Sequence, residues 1–147
     1  MARILIIDDD APLRAGLAEW LESCGHKAAQ APDAQMGILH ARAYPVDLII
    51  TDVQMPAGGA PILLQSLQDD EELAGIPVII ISGVPEAKLK QWFPDTAKRR
   101  IHPKPVKWSL LKLQIEQLLG AQKPADTGGV PGFTPLFPDP KGDEQKG

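Results

Sequence analysis

The chain carries a single cysteine, Cys24, in 147 residues. No internal disulfide can form, so the fold must rest on burial alone, and a reducing, cytoplasmic compartment is expected. Aromatic residues are scarce: three Phe, three Trp and one Tyr. The core must therefore be built from aliphatic side chains. No apolar run approaches the roughly 20 residues that span a bilayer, and the short amino-terminal run ends in three aspartates, unlike a secretory leader. An excess of cations is also missing. With 15 Lys and Arg against 19 Asp and Glu, the net charge of −4 argues against direct nucleic-acid binding. The three histidines, His26, His40 and His102, show no metal-ligand spacing. What remains is enough chain for one domain with a substantial core.

Three short, β-branched, nearly unbroken apolar runs stand out: Arg3 to Ile7, Val46 to Ile50 and Pro77 to Ile81. Such runs fit strands buried on both faces, as in a parallel sheet flanked by helices. Between them lie helical spacings. Leu13, Leu17, Trp20, Leu21 and Cys24 recur every three or four residues, so this stripe, Cys24 included, is expected to face the core. Trp108, Leu111, Ile115 and Leu118 form a matching stripe in the last helix. Strands alternating with helices predict an α/β, doubly wound sheet with helices on both faces. Ligands bind such sheets outside the carboxyl ends of the strands.

Asp8, Asp9, Asp52, Ser82 and Lys104 all fall at predicted strand ends. Clustered carboxylates repel one another and invite a hard divalent cation, and Mg²⁺ takes one or two carboxylates plus oxygen donors from water and phosphate. Asp8 and Asp9 are suited to holding it. Asp52 is the candidate nucleophile, because a carboxylate can attack phosphorus and form an aspartyl phosphate. Lys104 offers a point charge and Ser82 a hydroxyl to the phosphoryl oxygens, and phosphoryl transfer needs chiefly such positioning and neutralisation. Taken singly, each residue has a plainer role: Asp8-Asp9 as a solvated loop, Ser82 as a turn or cap, Lys104 as a surface cation. Their order along the chain makes the set specific.

The segments Ile4 to Asp10, Asp47 to Pro56, Pro77 to Gly83 and Lys104-Pro105 together resemble the receiver domain of bacterial two-component response regulators, over about residues 2 to 120. The resemblance implies a flavodoxin-like, five-stranded parallel sheet of order 2-1-3-4-5 and Asp52 as phosphoacceptor. It also implies a histidine kinase or histidine phosphotransfer protein as donor. Mg²⁺ would be held by Asp8, Asp9, Asp52 and the backbone carbonyl of Gln54, and the Lys104-Pro105 peptide would be cis.

The sequence departs from the family's pattern around the fifth strand. Ile101 stands where an aromatic residue usually takes part in the switch, and His102 and Pro103 stand where apolar or β-branched residues are usual. Pro103 lacks an N–H, which predicts an edge strand. Pro94 is expected to end the fourth helix after Glu86 to Phe93. Lys98-Arg99-Arg100 reads as a solvated edge, and Trp92 and Phe93 as core packing or a docking patch. Gln54 and Val84 occupy positions that tune the lifetime of the phosphoryl group in the family.

The domain boundary is expected near Gly120, giving a receiver domain over 1–120. Residues 121–147 form a Pro/Gly-rich tail too poor in apolar area to fold alone, with Phe133, Leu136 and Phe137 as apolar islands. The leading function is a phosphoacceptor that signals by switching a protein-interaction surface, with no enzymatic activity beyond its own phosphoryl transfer and slow dephosphorylation. The output protein is unidentified, and dimerisation through the last helix stays open. Two alternatives remain: a degenerate receiver acting by binding alone, and a haloacid-dehalogenase-like phosphatase using Asp8, Asp10, Ser82 and Lys104. The second leaves Asp52 without a role and lacks an acidic motif after the lysine outside the tail.

Overall fold

The computed structural model describes residues 2–53, 59–94 and 96–122. The elements alternate from β1 (Arg3–Ile7) and α1 (Ala11–Ser23) through β2 (Lys27–Ala31), α2 (Ala34–Ala43), β3 (Leu48–Asp52) and α3 (Gly59–Gln68). They continue with β4 (Val78–Ser82), α4 (Glu86–Trp92), β5 (Arg99–Pro103) and α5 (Trp108–Gln122). The five strands form one sheet of order β2-β1-β3-β4-β5, and every neighbouring pair is parallel. This is the flavodoxin-like arrangement.

The two-residue period of a strand divides the apolar runs between two cores. Leu5, Ile7, Ile49 and Ile80 pack on one face with Ile38 of α2, Leu63 of α3 and Leu89 of α4. Ile4, Ile6, Leu48, Ile50, Ile79 and Ile81 pack on the other with Leu17 and Leu21 of α1 and Leu111, Ile115 and Leu118 of α5. Each fully buried Ile or Leu stabilises by about 1.5–3 kcal/mol, and β3 and β4 are buried along their whole length. That explains why these strands read as unbroken apolar runs.

Local signals set the helix ends. Asp10 caps α1, its carboxylate accepting from the Leu13 N–H at 3.1 Å. Asp33 caps α2 by accepting from Met36 N–H at 2.9 Å. α4 ends at Trp92, with Phe93 as its C-cap and Pro94 beyond, as expected from the proline. β5 lies at the edge of the sheet with Pro103 as its last residue, also as expected.

Some expectations are corrected. β3 begins and ends two residues later than its apolar run, and β4 one residue later, so Asp52 and Ser82 are the last residues of their strands. Cys24 is exposed, not in the core. It is the C-cap of α1, where Gly25 at φ 94° turns the chain away, so the stripe ends at Leu21. Trp108 is 43% exposed at the first position of α5 and packs against Trp20 with ring centroids 5.0 Å apart and planes tilted by 46°, at the margin of the core. Trp92 and Phe93 divide, the first exposed and the second buried. Phe133, Leu136 and Phe137 lie outside the described residues. Among the described residues, no helix is long and apolar enough to cross a membrane.

Candidate functional site

The strand order reverses between β1 and β3: from β1 the sheet grows to β2 on one side and to β3, β4 and β5 on the other. A crevice opens at the carboxyl ends of strands where such a reversal occurs. Asp8 follows β1, Asp52 and Ser82 end β3 and β4, and Lys104 follows β5. Parallel pairing aligns these ends, so residues up to 96 positions apart in the sequence meet in one place.

Asp8, Asp9 and Asp52 bring carboxylate oxygens within 4.8 Å of one another. Asp8 is buried, and its Oδ1 accepts from the Asp10 N–H at 2.8 Å. Its own N–H donates to Ala31 C=O at 3.1 Å, and Arg14 Nη1 donates to its carbonyl at 2.6 Å, so its backbone is fixed from β2 and α1. Burial pushes the Asp8 carboxyl above its usual range, against the Asp10 N–H and Lys104, which lower it; Asp52 and Asp9 raise it further. Asp9 is exposed.

Asp52 is nearly buried. Its Oδ1 accepts from Val53 N–H at 2.6 Å, and its Oδ2 faces Lys104 Nζ at 3.5 Å. Lys104 Nζ also stands 3.7 Å from Asp8 Oδ2. These are long ion pairs, in which one cation is shared between two carboxylates without closing tightly on either. Ser82 is buried, and its Oγ accepts from Val84 N–H at 3.1 Å, leaving the hydroxyl proton available to donate. The Ser82 carbonyl accepts from Lys104 N–H at 2.8 Å, which ties the lysine to the end of β4. The Lys104-Pro105 peptide is cis.

The structure thus brings together Asp8, Asp9, Asp52 and Lys104, with Ser82 at the adjacent strand end. Gln54 lies outside the described residues. The donor set is all oxygen, with no imidazole or thiolate, and suits a hard cation such as Mg²⁺ over zinc or copper. The phosphatase alternative fails on Asp10, which it needs beside Asp8 as a reacting group. Asp10 is spent instead on capping α1, and the acidic group consists of Asp8, Asp9 and Asp52.

Sequence reasoning assigned no role to the buried pair of His102 and Gln114. The available signal was a polar side chain at the apolar-facing position of a strand beside a Gln on an apolar helix stripe. Lys98, just before β5, is exposed, whereas Arg99 and Arg100 of the edge strand are half-buried rather than fully solvated; Arg99 Nε donates to Pro94 C=O at 3.1 Å and Arg100 Nη1 to Thr96 C=O at 2.6 Å.

Comparison with known proteins agrees with this geometry. The family profile described as response regulator receiver domain matches residues 4–116. The protein PilH of Pseudomonas aeruginosa is 32% identical over 119 residues, covering 81% of this chain and 98% of PilH. The sensor kinase CckA of Brucella abortus is 30% identical over 124 residues, 82% of this chain but only 13% of that kinase. A crystal structure of the receiver domain from hybrid histidine kinase CckA superposes with a TM-score of 0.66 at 28% identity, covering 80% of this chain and 99% of that one.

Proposed function

The chain belongs to the response regulator receiver family and is a phosphoacceptor signalling domain; on that premise we propose that Asp52 is the residue that takes the phosphoryl group. The observation that carries this reading is the arrangement around its carboxylate. One oxygen is fixed by the Val53 N–H, while the other points toward Lys104 in a crevice shared with two further carboxylates. Asp52 Oδ2 attacks the phosphorus of a phosphohistidine on a histidine kinase or histidine phosphotransfer protein. The new O–P bond forms as the P–N bond breaks, and the electron pair stays on the departing imidazole nitrogen. Lys104 Nζ and the Ser82 hydroxyl proton serve the phosphoryl oxygens.

Asp8, Asp9 and Asp52 would hold Mg²⁺, together with the Gln54 carbonyl. The raised Asp8 carboxyl and the all-oxygen donor set fit that ion. Bound there, Mg²⁺ supplies the positive charge that three neighbouring carboxylates and an incoming phosphoryl group require. The phosphoryl group adds about −1.5 to −2 charge, by analogy with other phosphorylated side chains. A shift of Ser82 toward it passes that change to the surface that binds an output protein. The chain acts in the cytoplasm, and its chemistry extends to its own phosphorylation and slow dephosphorylation.

Intact mass after incubation with acetyl phosphate and Mg²⁺, for wild type and Asp52→Ala, tests the reading. The expected result is a labile gain of one phosphoryl group that vanishes in the variant and without Mg²⁺. No gain under conditions that modify a control receiver, nor with a phosphorylated kinase, would leave a domain acting by binding alone.

A further inference from the structure

Lys104 belongs to the four-residue turn between the end of β5 at Pro103 and the start of α5 at Trp108. Two of the residues at this end, Pro103 and Pro105, have no N–H to offer. The first tie is the Lys104 N–H to the Ser82 carbonyl at 2.8 Å. The second is unusual: the Lys107 N–H donates to Nε2 of His102, at 3.0 Å. A backbone N–H only donates, so Nε2 is the bare nitrogen of a neutral ring and Nδ1 carries the hydrogen. Nδ1 in turn donates to Oε1 of Gln114 at 2.9 Å, and Gln114 Nε2 donates to the Ile101 carbonyl at 2.9 Å.

Both ring nitrogens and both ends of the amide are therefore engaged, in one direction, through a histidine that is fully buried and a glutamine that is 8% exposed. An apolar residue at position 102 would fill the space but could not hold the Lys107 amide. Burial lowers the basicity of His102, consistent with a ring kept neutral.

We propose that His102 is a positioning residue for phosphoryl transfer: with Gln114 it clamps the turn between β5 and α5 and so holds Lys104 at the acidic cluster. This rests on the reading of Lys104 given above. The clamp joins β5, the turn and α5, and it holds the chain at Ile101 and His102 on one side of the lysine and at Lys107 on the other. A lysine that shares its charge between Asp8 and Asp52 at 3.7 and 3.5 Å has little inherent fixity, so the backbone beneath it must supply the aim.

The test is the double variant His102→Leu/Gln114→Leu, which removes the two polar side chains together, keeps apolar volume, and releases only the Lys107 N–H and the Ile101 carbonyl. Its phosphorylation rate with acetyl phosphate and its Mg²⁺ affinity are measured with Lys104 present and in a Lys104→Ala background. With Lys104 present, the rate is expected to fall about 3- to 30-fold, since small misplacements of a catalytic group cost up to about 100-fold. Mg²⁺ affinity should not fall, because the clamp touches no metal ligand and a loosened Lys104 competes less with the ion, and in the Lys104→Ala background the rate should not fall further.

An equal loss in both backgrounds, or no loss with Lys104 present, overturns the proposal. A Lys104→Ala protein that phosphorylates at the wild-type rate overturns the role of Lys104 instead, and the clamp's role with it; that outcome shows in the single variant. Amide exchange supplies a readout independent of chemistry. The Lys107 amide, and with it that of Lys104, should exchange at least about tenfold faster in the double variant while Ile4 to Ile7 stay protected, and unchanged exchange there would also refute the clamp.

Discussion

Replacing Lys104 by methionine should have opposite effects on Mg²⁺ binding and on phosphoryl transfer. The lysine shares its charge between Asp8 Oδ2 at 3.7 Å and Asp52 Oδ2 at 3.5 Å. At such distances a unit pair interacts by about 1 kcal/mol in water and about 4–5 kcal/mol at an effective dielectric of 20. The lysine side chain is 27% exposed, and desolvation and side-chain ordering offset most of the larger figure. A net loss of about 1–2 kcal/mol on Lys104→Met follows in the Mg²⁺-free protein. A divalent ion among Asp8, Asp9 and Asp52 relieves the same repulsion and no longer competes with the lysine. Mg²⁺ should therefore bind the variant about 5- to 30-fold more tightly. At an Mg²⁺ concentration saturating both proteins, the ion-induced stabilisation should exceed that of wild type by about 1–2 kcal/mol, or about 3–8 °C in Tm. Yet phosphorylation should slow, because the phosphoryl oxygens lose their lysine. The assay is Tm against Mg²⁺ concentration for the two proteins, followed by phosphorylation with acetyl phosphate. Parallel Mg²⁺ curves would refute the competition between lysine and metal, even if transfer slowed.

Three further outcomes follow from the packing and the titrating groups. Gly37 of α2 lies against Ile7, whose Cδ1 and Cγ1 occupy the space a Cβ would take, the latter at 2.8 Å. Gly37→Ala should destabilise the fold by about 1–3 kcal/mol through overpacking, read as a lower denaturation midpoint in urea; an unchanged midpoint would mean that α2 can shift freely. His102 and His26 are both held below the ordinary histidine value of 6.5, in each case chiefly by burial. The unfolded chain then binds more protons than the folded one at mildly acidic pH. Stability should accordingly be fully present above about pH 6.5 and fall below it, toward the depressed folded values. Asp8, raised by burial, acts in the opposite sense, so urea titrations from pH 8 to 5 in an Asp8→Asn background check this, and a flat or rising profile on acidification there would contradict it. Cys24, exposed at the end of α1, should react with a thiol reagent in the native state at a rate close to that of the urea-unfolded chain, whereas a buried thiol would be protected by orders of magnitude.

Much of the site was legible in the sequence because its chemistry is punctuated by strands. Asp8, Asp52, Ser82 and Lys104 each end or follow an apolar or edge strand, so finding the strands nearly found the site. The runs themselves carried the signal because both faces of β1, β3 and β4 are buried. β2, Lys27-Ala28-Ala29-Gln30-Ala31, gave no such signal. It is an edge strand of small residues, paired to β1 alone, and only the family resemblance supplied a fifth strand. The strand ends were misread by one or two residues because apolarity stops at Ile50 and Ile81 while backbone pairing continues to Asp52 and Ser82. Cys24 and Trp108 were placed in the core because a helical stripe continues indefinitely on paper. The real helices stop at Ser23 and start at Trp108, where the core no longer covers them.

The sequence by itself determined the alternation of elements, the identity of the acidic, hydroxyl and ammonium groups, and the family, because these follow from residue type and local spacing. Tertiary structure alone decided how one ammonium is shared between Asp8 and Asp52. It alone decided that His102 and Gln114 face each other across the join of β5 and α5. Those are relations between segments, and only parallel pairing and helix packing bring the segments within reach of a hydrogen bond.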